Sequence, residues 1–318
     1  MQCSRADTFA KALGTFPRSA QPYLESLFQQ GGKLSGKVLS ELLDRLDVSV
    51  EALMIGLLPL AKLFSMVPVS EFPVGAVVLG GAGDRDGEMS LYLGANMEFE
   101  HQALHMSLHA EQAAVMNAWY NGVGYIEAIA TSELPCGHCR QFLTELSGWS
   151  DLMVLSSTGE AYGYRQRRLA HILPAAFSPT ELGNQNGFPR PINNHPKLRL
   201  VRHAAGPVVQ AALSAAEVSY APYTGNLAGC AVETAGGLVV SGRYMESVAY
   251  NPSVSPLTAA ALQLNMMSLA YKPEKITRVV LVEKTTQICQ KGFTEMLMKS
   301  WVPHVTLEYH EAISEELA

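Results

Sequence analysis

The sequence predicts an α/β protein of two similar domains, preceded by a helical segment. Its 318 residues exceed the usual size of one hydrophobic core, and 48% of them are hydrophobic. Strand and helix patterns follow one another in the order β-β-α-β-α-β on both sides of a stretch rich in Gly, Asn and Pro. We therefore expect two three-layer α/β/α domains with mixed sheets, joined by a linker.

Residues 1–66 form the predicted helical N-terminal segment. Between Ser40 and Phe64 the apolar side chains recur every three or four residues, which is the period of an amphipathic helix. From Val69 onward the pattern changes to that of strands, so we place the start of the first domain at residue 67.

The first domain, residues 67–182, begins with a predicted hairpin and continues with alternating helices and strands. Its predicted elements are strands 72–79 and 89–95 around a turn at 80–87, helix 109–120, strand 126–131, helix 136–146 and strand 152–156. Helix 109–120 stops at an Asn-Gly pair, and helix 136–146 stops before Gly148, where glycine typically ends a helix.

Residues 183–205 form the predicted linker, and residues 206–318 the second domain. Its predicted elements are strands 227–233 and 238–243, helix 257–269, strand 277–282, helix 289–300 and strand 305–309. A β-turn-β pattern ends at Met97-Glu98 and again at Met245-Glu246, and an alanine-rich helix follows each. These matches favour a degenerate duplication.

Charge and cysteine content narrow the class of protein. The net charge is −6 with no run of Lys and Arg, which disfavours a nucleic-acid partner. The five cysteines are too few and odd in number for a disulfide framework, which favours a reducing cytoplasm. We expect no secretory signal, and no membrane span because Gly56, Pro59 and Lys62 interrupt the longest apolar run.

Two short pieces of the first domain carry metal-binding chemistry. Pro135 suits a helix start, which puts Cys136 and Cys139 in the first turn on one face, able to share one metal ion. The helix dipole favours their thiolate forms. His109 starts the preceding helix and is the better third ligand, since His138 should point away from the shared cysteine face.

Three protein ligands and an open position are typical of catalytic zinc, and Glu111 is placed to act as a base beside it. The pattern H-x-E followed by P-C-x-x-C is typical of zinc-dependent nucleobase deaminases. A structural zinc site or a redox C-x-x-C pair is the alternative that the cysteines alone would favour.

Around this signature the sequence resembles the two-domain, homodimeric cytidine deaminases of bacteria and plants. The matching stretches are FPVGAVV, GANMEF, LHAEQAAV, PCGHCRQFLTEL and LPAAFSPTEL. The resemblance covers most of the chain from about residue 50 and is clearest over 72–182. It implies hydrolysis of cytidine and deoxycytidine at C4 in pyrimidine salvage, by water activated on one zinc ion per chain. It also implies a homodimer whose degenerate half helps complete the partner's active site.

The resemblance implies roles for individual residues. Zinc would be held by His109, Cys136 and Cys139, and Glu111 would move protons. The substrate would contact the ribose-binding pair Asn96 and Glu98, the backbone of Ala110, and the rings of Phe72 and Phe177. Core packing is the ordinary role of phenylalanine, so the two rings have that alternative. Pro73 departs from the family's F-N-V-G pattern and removes a backbone donor there.

Two other functions have the same signature. Enzymes that edit polynucleotides need a track of basic and aromatic residues, which this acidic chain lacks, and a nucleotide-directed relative would need extra basic residues near the ribose. A zinc module for protein interaction would have no use for Glu111. We therefore expect a free pyrimidine nucleoside as the substrate.

Overall fold

The computed structural model describes residues 5–82, 88–160, 162–189, 196–267 and 273–315. These residues form two compact units, each with its own β-sheet. The first unit comprises the described parts of 1–98, 107–191 and 265–270, and the second those of 99–106, 192–264 and 271–318. None of the described helices is long and apolar enough to cross a bilayer.

The sheet of the first unit has strand order β1-β3-β2-β4-β5-β6. Its strands are β1 (Lys33–Leu34), β2 (Gly75–Gly81), β3 (Met89–Ala95), β4 (Tyr125–Thr131), β5 (Met153–Ser157) and β6 (Tyr164–Arg168). β4 and β5 pair in parallel and the other neighbours are antiparallel. The mixed sheet is therefore confirmed, and strands β1 and β6 extend it beyond the four strands predicted.

Eight helices accompany this sheet within residues 5–189 as described. They are α1 (Arg5–Leu13), α2 (Gln21–Glu25), α3 (Gly36–Leu46), α4 (Val50–Gly56), α5 (Leu58–Ala61), α6 (Ala110–Tyr120), α7 (Gly137–Leu143) and α8 (Leu169–Ile172). Single turns of 3-10 helix occur at Lys62–Phe64, Leu104–Met106, Trp149–Asp151 and Pro179–Leu182. Residues 83–87 of the predicted hairpin turn lie outside the described residues.

The N-terminal segment is mostly helical, as its spacing predicts, but it is broken into short helices. Asp47 ends α3 in the left-handed conformation, with φ of 51°. Ser49 then starts α4 by accepting a hydrogen bond from the Ala52 N–H at 3.2 Å. The segment also contributes strand β1, which pairs with β3 and is too short for its alternation to be visible in the sequence.

Helix α6 is buried around most of its circumference because it packs closely on β3. Residues 110–119 are all buried, which is typical of a helix inside a domain. A Cβ atom on Gly94 of β3 would overlap backbone atoms of Ala113 and Ala114, so only glycine permits this approach. The close contact positions the start of α6 against the end of β3.

The sheet of the second unit has strand order β7-β11-β10-β8-β9. Its strands are β7 (Leu198–Leu200), β8 (Ala228–Thr234), β9 (Val239–Arg243), β10 (Ile276–Lys284) and β11 (Leu307–Ser314). β10 and β11 are parallel and the other pairs are antiparallel. Strand β7 lies inside the predicted linker 183–205. The linker prediction is wrong at this point because three residues are too few to show a strand pattern.

The helices described within residues 196–315 are α9 (Pro207–Glu217), α10 (Pro256–Met267), α11 (Lys291–Trp301) and a 3-10 turn at Pro273–Lys275. Residues 268 and 269 of the predicted helix 257–269 lie outside the described residues. Helix α9 was not predicted, although Pro207 occupies its first position, where proline is favoured.

The second unit repeats the backbone arrangement of the first. Met97 forms a parallel bridge with Met66 and an antiparallel bridge with Leu108. In the second unit Met245 likewise forms a parallel bridge with Tyr220 and an antiparallel bridge with Val254. Gly242 also repeats Gly94, since a Cβ there would overlap the backbone of α10. This shared geometry confirms that the second unit repeats the fold of the first.

Candidate active site

The candidate site forms where α6 and α7 begin. His109 is the N-cap residue of α6, and Cys136 is the N-cap residue of α7. The Gln112 side chain accepts a hydrogen bond from the His109 N–H at 3.0 Å, which holds this first turn in shape. Cys139 lies in the first turn of α7 and is fully buried. The two helix starts therefore bring together residues that are 27 positions apart in the chain.

The three side chains have the spacing of a tetrahedral zinc site. His109 Nδ1 lies 3.6 Å from Cys136 Sγ and 3.3 Å from Cys139 Sγ, and the two sulfurs are 3.7 Å apart. Usual zinc bond lengths at tetrahedral angles place two sulfurs about 3.8 Å apart and sulfur about 3.6 Å from nitrogen. Among the described residues, this is the one group of three or more His, Cys, Asp or Glu close enough to share a metal.

His138 is not part of this ligand group. Its ring stacks on the His109 ring, with 5.0 Å between centroids and an angle of 30° between planes. The stacked ring supports the orientation of His109. With three protein ligands from the described residues, the arrangement fits a metal that keeps a fourth position open for water, rather than a closed structural site.

The thiols are poised to become metal ligands. The hydrogen bond between the two sulfurs lowers the pKa of Cys136 to about 4 although partial burial opposes this, and the backbone of Cys139 and the charge of His109 lower it further. The same hydrogen bond, together with burial, raises the pKa of Cys139. The lowered pKa favours the thiolate form of Cys136, and a metal cation would favour loss of the Cys139 proton as well.

Glu111 occupies the first turn of α6 beside the ligand group. Its side chain is buried, with 5% of its surface exposed. Burial raises the pKa of its carboxyl, against the lowering effects of a backbone hydrogen bond, the Cys139 side chain and the charge of His109. A buried carboxyl with a raised pKa is suited to accepting and returning protons.

Asn96 follows β3 and binds the loop that carries Phe72. Its Oδ1 accepts a hydrogen bond from the Val74 N–H at 2.9 Å, and its Nδ2 donates to the Phe72 carbonyl at 3.0 Å. These bonds pass on either side of Pro73, which cannot donate one itself. The missing donor at Pro73 is therefore no loss to this loop.

Glu98 holds the chain just before that loop. Its Oε2 accepts hydrogen bonds from the Val69 and Ser70 N–H groups, each at 3.0 Å. Partial burial alone would raise the pKa of Glu98, but hydrogen bonds from Ser70 and Val69 outweigh it and the pKa is lowered. In the second unit the corresponding carboxylate belongs to Glu246. It accepts hydrogen bonds from the N–H groups of Tyr223 and Thr224.

The two predicted aromatic residues lie at the surface. Phe72 is 56% exposed and Phe177 is 45% exposed, so neither has the core-packing role that was the alternative. Ala110, by contrast, is buried as the first residue of α6. Its backbone N–H belongs to the helix turn whose amides lack intrahelical acceptors, which suits a hydrogen bond to a ligand.

Side chains of α7 that the sequence analysis did not single out for this purpose bind the segment ending at Phe177. Gln141 Nε2 donates to the Phe177 carbonyl at 2.7 Å. Arg140 donates to the carbonyls of Pro135 and Ile172 at 2.8 and 2.9 Å. The helix that starts with the cysteines thus fixes the position of the Phe177 segment.

Comparison with known proteins gives consistent results over both units. Residues 49–155 and 169–295 each match a family model described as the cytidine and deoxycytidylate deaminase zinc-binding region. The chain is 35% identical to the cytidine deaminase of Vibrio cholerae over 303 residues, which are 94% of this chain and 97% of that protein.

Other relatives have the same description. The cytidine deaminase of Aliivibrio fischeri is 35% identical over 291 residues, covering 92% of each protein. A solved structure of the cytidine deaminase from Mycobacterium tuberculosis is 31% identical, with a TM-score of 0.34, and aligns with 41% of this chain and 99% of its own.

Proposed function

The chain belongs to the cytidine deaminase family of zinc-dependent enzymes, and from that premise we propose how its residues carry out the reaction. The enzyme hydrolyses cytidine to uridine and deoxycytidine to deoxyuridine, releasing ammonia. The observation that supports this most strongly is the His109, Cys136 and Cys139 group, spaced for one zinc ion beside the buried carboxyl of Glu111.

His109, Cys136 and Cys139 would hold the zinc ion, which when bound would lower the pKa of a water towards neutrality. Glu111 accepts a proton from the attacking water and passes it to N3 of the pyrimidine, which makes C4 more electrophilic. The oxygen of water adds to C4, Glu111 transfers the second water proton to the amino nitrogen, and the C4–N bond breaks. One water is consumed, and one ammonia leaves.

The substrate is positioned by residues around this centre. Glu98, whose Oε2 accepts from the loop amides of Val69 and Ser70, also accepts a hydrogen bond from a ribose hydroxyl. The Asn96 amide has a further hydrogen and a further lone pair beyond its loop contacts. Phe72 packs against the base, Phe177 closes the pocket, and the Ala110 N–H binds the base. The exposure of both rings in the free enzyme supports these roles.

The domain that carries the three candidate metal ligands is the catalytic one. Residues 67–182 form the catalytic domain, 183–205 the connection and 206–318 a degenerate copy, after the N-terminal segment 1–66. No described residues beyond 196 form a group of three metal ligands. The enzyme acts as a homodimer in pyrimidine salvage in the cytoplasm, where its free thiols stay reduced.

The decisive test is an ultraviolet assay of the purified protein with cytidine, deoxycytidine and CMP, before and after zinc removal. Zinc-dependent loss of cytosine absorbance with both nucleosides, and not with CMP, is the expected result. Inactivity on all three by zinc-loaded protein would contradict the proposal. It would favour a polynucleotide substrate, to be checked with single-stranded DNA and RNA, or a zinc module without enzymatic activity.

A further inference from the structure

One cavity of the first unit lies apart from the residues assigned to deamination. Its volume is about 380 Å³, and it opens at the carboxyl ends of the parallel strands β4 and β5. Ligands commonly bind at this edge of α/β sheets. The residues that line it include none of the zinc ligands, nor Glu111, Asn96, Glu98 or the two phenylalanines.

One wall of the cavity is formed by two arginines of β6. Arg165 pairs across the sheet with Ser156, and Arg167 pairs with Val154. Because side chains alternate along a strand, these two arginines share one face, and both line the cavity. Arg168 belongs to the other face, where it forms an ion pair with Asp151 at 3.0 Å.

The cavity is positively charged, because Glu133 in its lining does not neutralise Arg165 and Arg167. Among the described residues, no acidic side chain forms an ion pair with Arg165 or Arg167. Glu133 also lines the cavity, but its carboxylate lies 3.5 Å from Lys62 Nζ. The pair of arginines therefore remains available to an anion.

The remaining lining offers hydrogen bonds and an apolar surface. The hydroxyls of Ser156 and Thr158 lie near the arginine side, and Leu134 and Ile172 supply apolar surface. Leu134 is 59% exposed, which is unusual for a large apolar side chain and leaves it able to contact a ligand.

We propose that this cavity binds a phosphate-bearing small molecule, with its phosphate on Arg165 and Arg167. Guanidinium groups match phosphate oxygens with two parallel hydrogen bonds, which explains two unpaired arginines on one face. The volume falls within the range of about 300–1,000 Å³ typical of small-molecule sites, well above what a phosphate ion alone would fill. Leu134 and Ile172 contact the organic part.

The test is isothermal titration of the zinc-loaded full chain with AMP, inorganic phosphate and adenosine. AMP cannot be deaminated at C4 of a pyrimidine, so its binding is read separately from the reaction. We expect AMP to bind, phosphate to bind more weakly and adenosine not to bind. Equal affinity for AMP and phosphate would identify a free phosphate site and overturn the contact with the organic part.

Arginine substitutions on the two faces of β6 can be compared directly, since one face lines the cavity and the other does not. The double variant Arg165→Gln/Arg167→Gln should weaken AMP binding by at least about tenfold, which corresponds to about 1.4 kcal/mol. Arg168→Gln should bind as the unaltered protein does. Both should keep cytidine deaminase activity, which shows that they fold.

If the double variant does not fold, Arg167→Lys keeps the charge but loses the paired hydrogen bonds, and it should still weaken AMP binding. Absence of AMP and phosphate binding up to about 10 mM would overturn the proposal, because a site weaker than that has no useful affinity. Unchanged AMP binding in Arg165→Gln/Arg167→Gln or in Arg167→Lys would overturn it as well.

Discussion

At the scale of single residues, the position of Glu111 in its helix sets both the pKa of its carboxyl and its place beside the candidate metal ligands. It lies in the first turn of α6, where burial raises the pKa of its carboxyl and outweighs the lowering effect of the Cys139 side chain. The same turn places His109 in the ligand group. A carboxyl at this point can exchange protons with a substrate without itself being a ligand.

Replacing Glu111 with Gln should lower kcat for cytidine by about 10²–10⁴-fold, because the amide cannot transfer protons. Zinc content, measured by plasma mass spectrometry, should stay near one per chain, since the three ligands are unchanged. The exposed Glu127→Gln in β4 is the control and should keep full activity. A zinc-loaded Glu111→Gln protein with normal kcat would contradict the proton-transfer role.

At the scale of elements, helix α7 both carries the two cysteines and binds the segment that ends at Phe177, with neighbouring residues in each role. Its first turn holds the two cysteines, and the next residues bind the carbonyls of Ile172 and Phe177. The helix therefore connects the metal ligands to the proposed pocket-closing ring through short, direct contacts.

Gln141→Leu should raise the KM for cytidine about fivefold, because loss of one hydrogen bond costs about 1 kcal/mol and frees the Phe177 segment. The kcat should change less, since no zinc ligand moves. Steady-state kinetics measure both constants. Gln210→Leu, at an exposed position of α9, is the control. An unchanged KM in Gln141→Leu would show that this bond does not position the ring.

The approach of α6 to β3 is a second feature of the elements. Gly94→Ala should destabilise the protein by about 1–3 kcal/mol and reduce activity, because the added methyl group overlaps the backbone of Ala113 and Ala114. Chemical denaturation followed by circular dichroism measures the free energy of unfolding.

The matched glycine substitution is Gly292→Ala in α11, where an added Cβ meets nothing within 4 Å. It should be neutral or stabilise by about 0.5–1 kcal/mol, since alanine favours the helix. Equal stability of the two variants would mean that β3 and α6 can separate without cost.

At the scale of the whole molecule, the proposed zinc site joins two helix starts that are distant in the chain. Chelation should abolish activity and lower the Tm measured by scanning calorimetry, because the ligands are assembled only in the folded state. Adding zinc back should restore both. The Cys139→Ala variant should show a much smaller response of Tm to the chelator, and metal-free protein with unchanged Tm and activity would contradict this account.

The proposed homodimer is tested by sedimentation velocity. The species with deaminase activity should have about twice the chain mass of 34.4 kDa. Full activity in a monomeric fraction would show that one chain completes its own active site.

The local sequence predicted the main strands and helices closely where an element has its own periodic pattern. β3 begins and ends at the predicted residues, and β4 and β8 differ by one residue at their ends. β6, by contrast, was missed because four of its five residues are exposed and polar. A strand without an apolar face has no alternating pattern to detect.

The sequence by itself determined the chemistry of the site, because each of the motifs His109-x-Glu111 and Cys136-x-x-Cys139 fits within a single helix turn. Local spacing alone therefore places their side chains close together. It also determined the β-β-α-β-α-β order of both domains. Only the tertiary structure decided that His109 meets the cysteines within 3.6 Å, that Gln141 holds Phe177, and that Arg165 and Arg167 line a cavity. Those contacts depend on strand pairing and helix packing between distant parts of the chain, which no local pattern encodes.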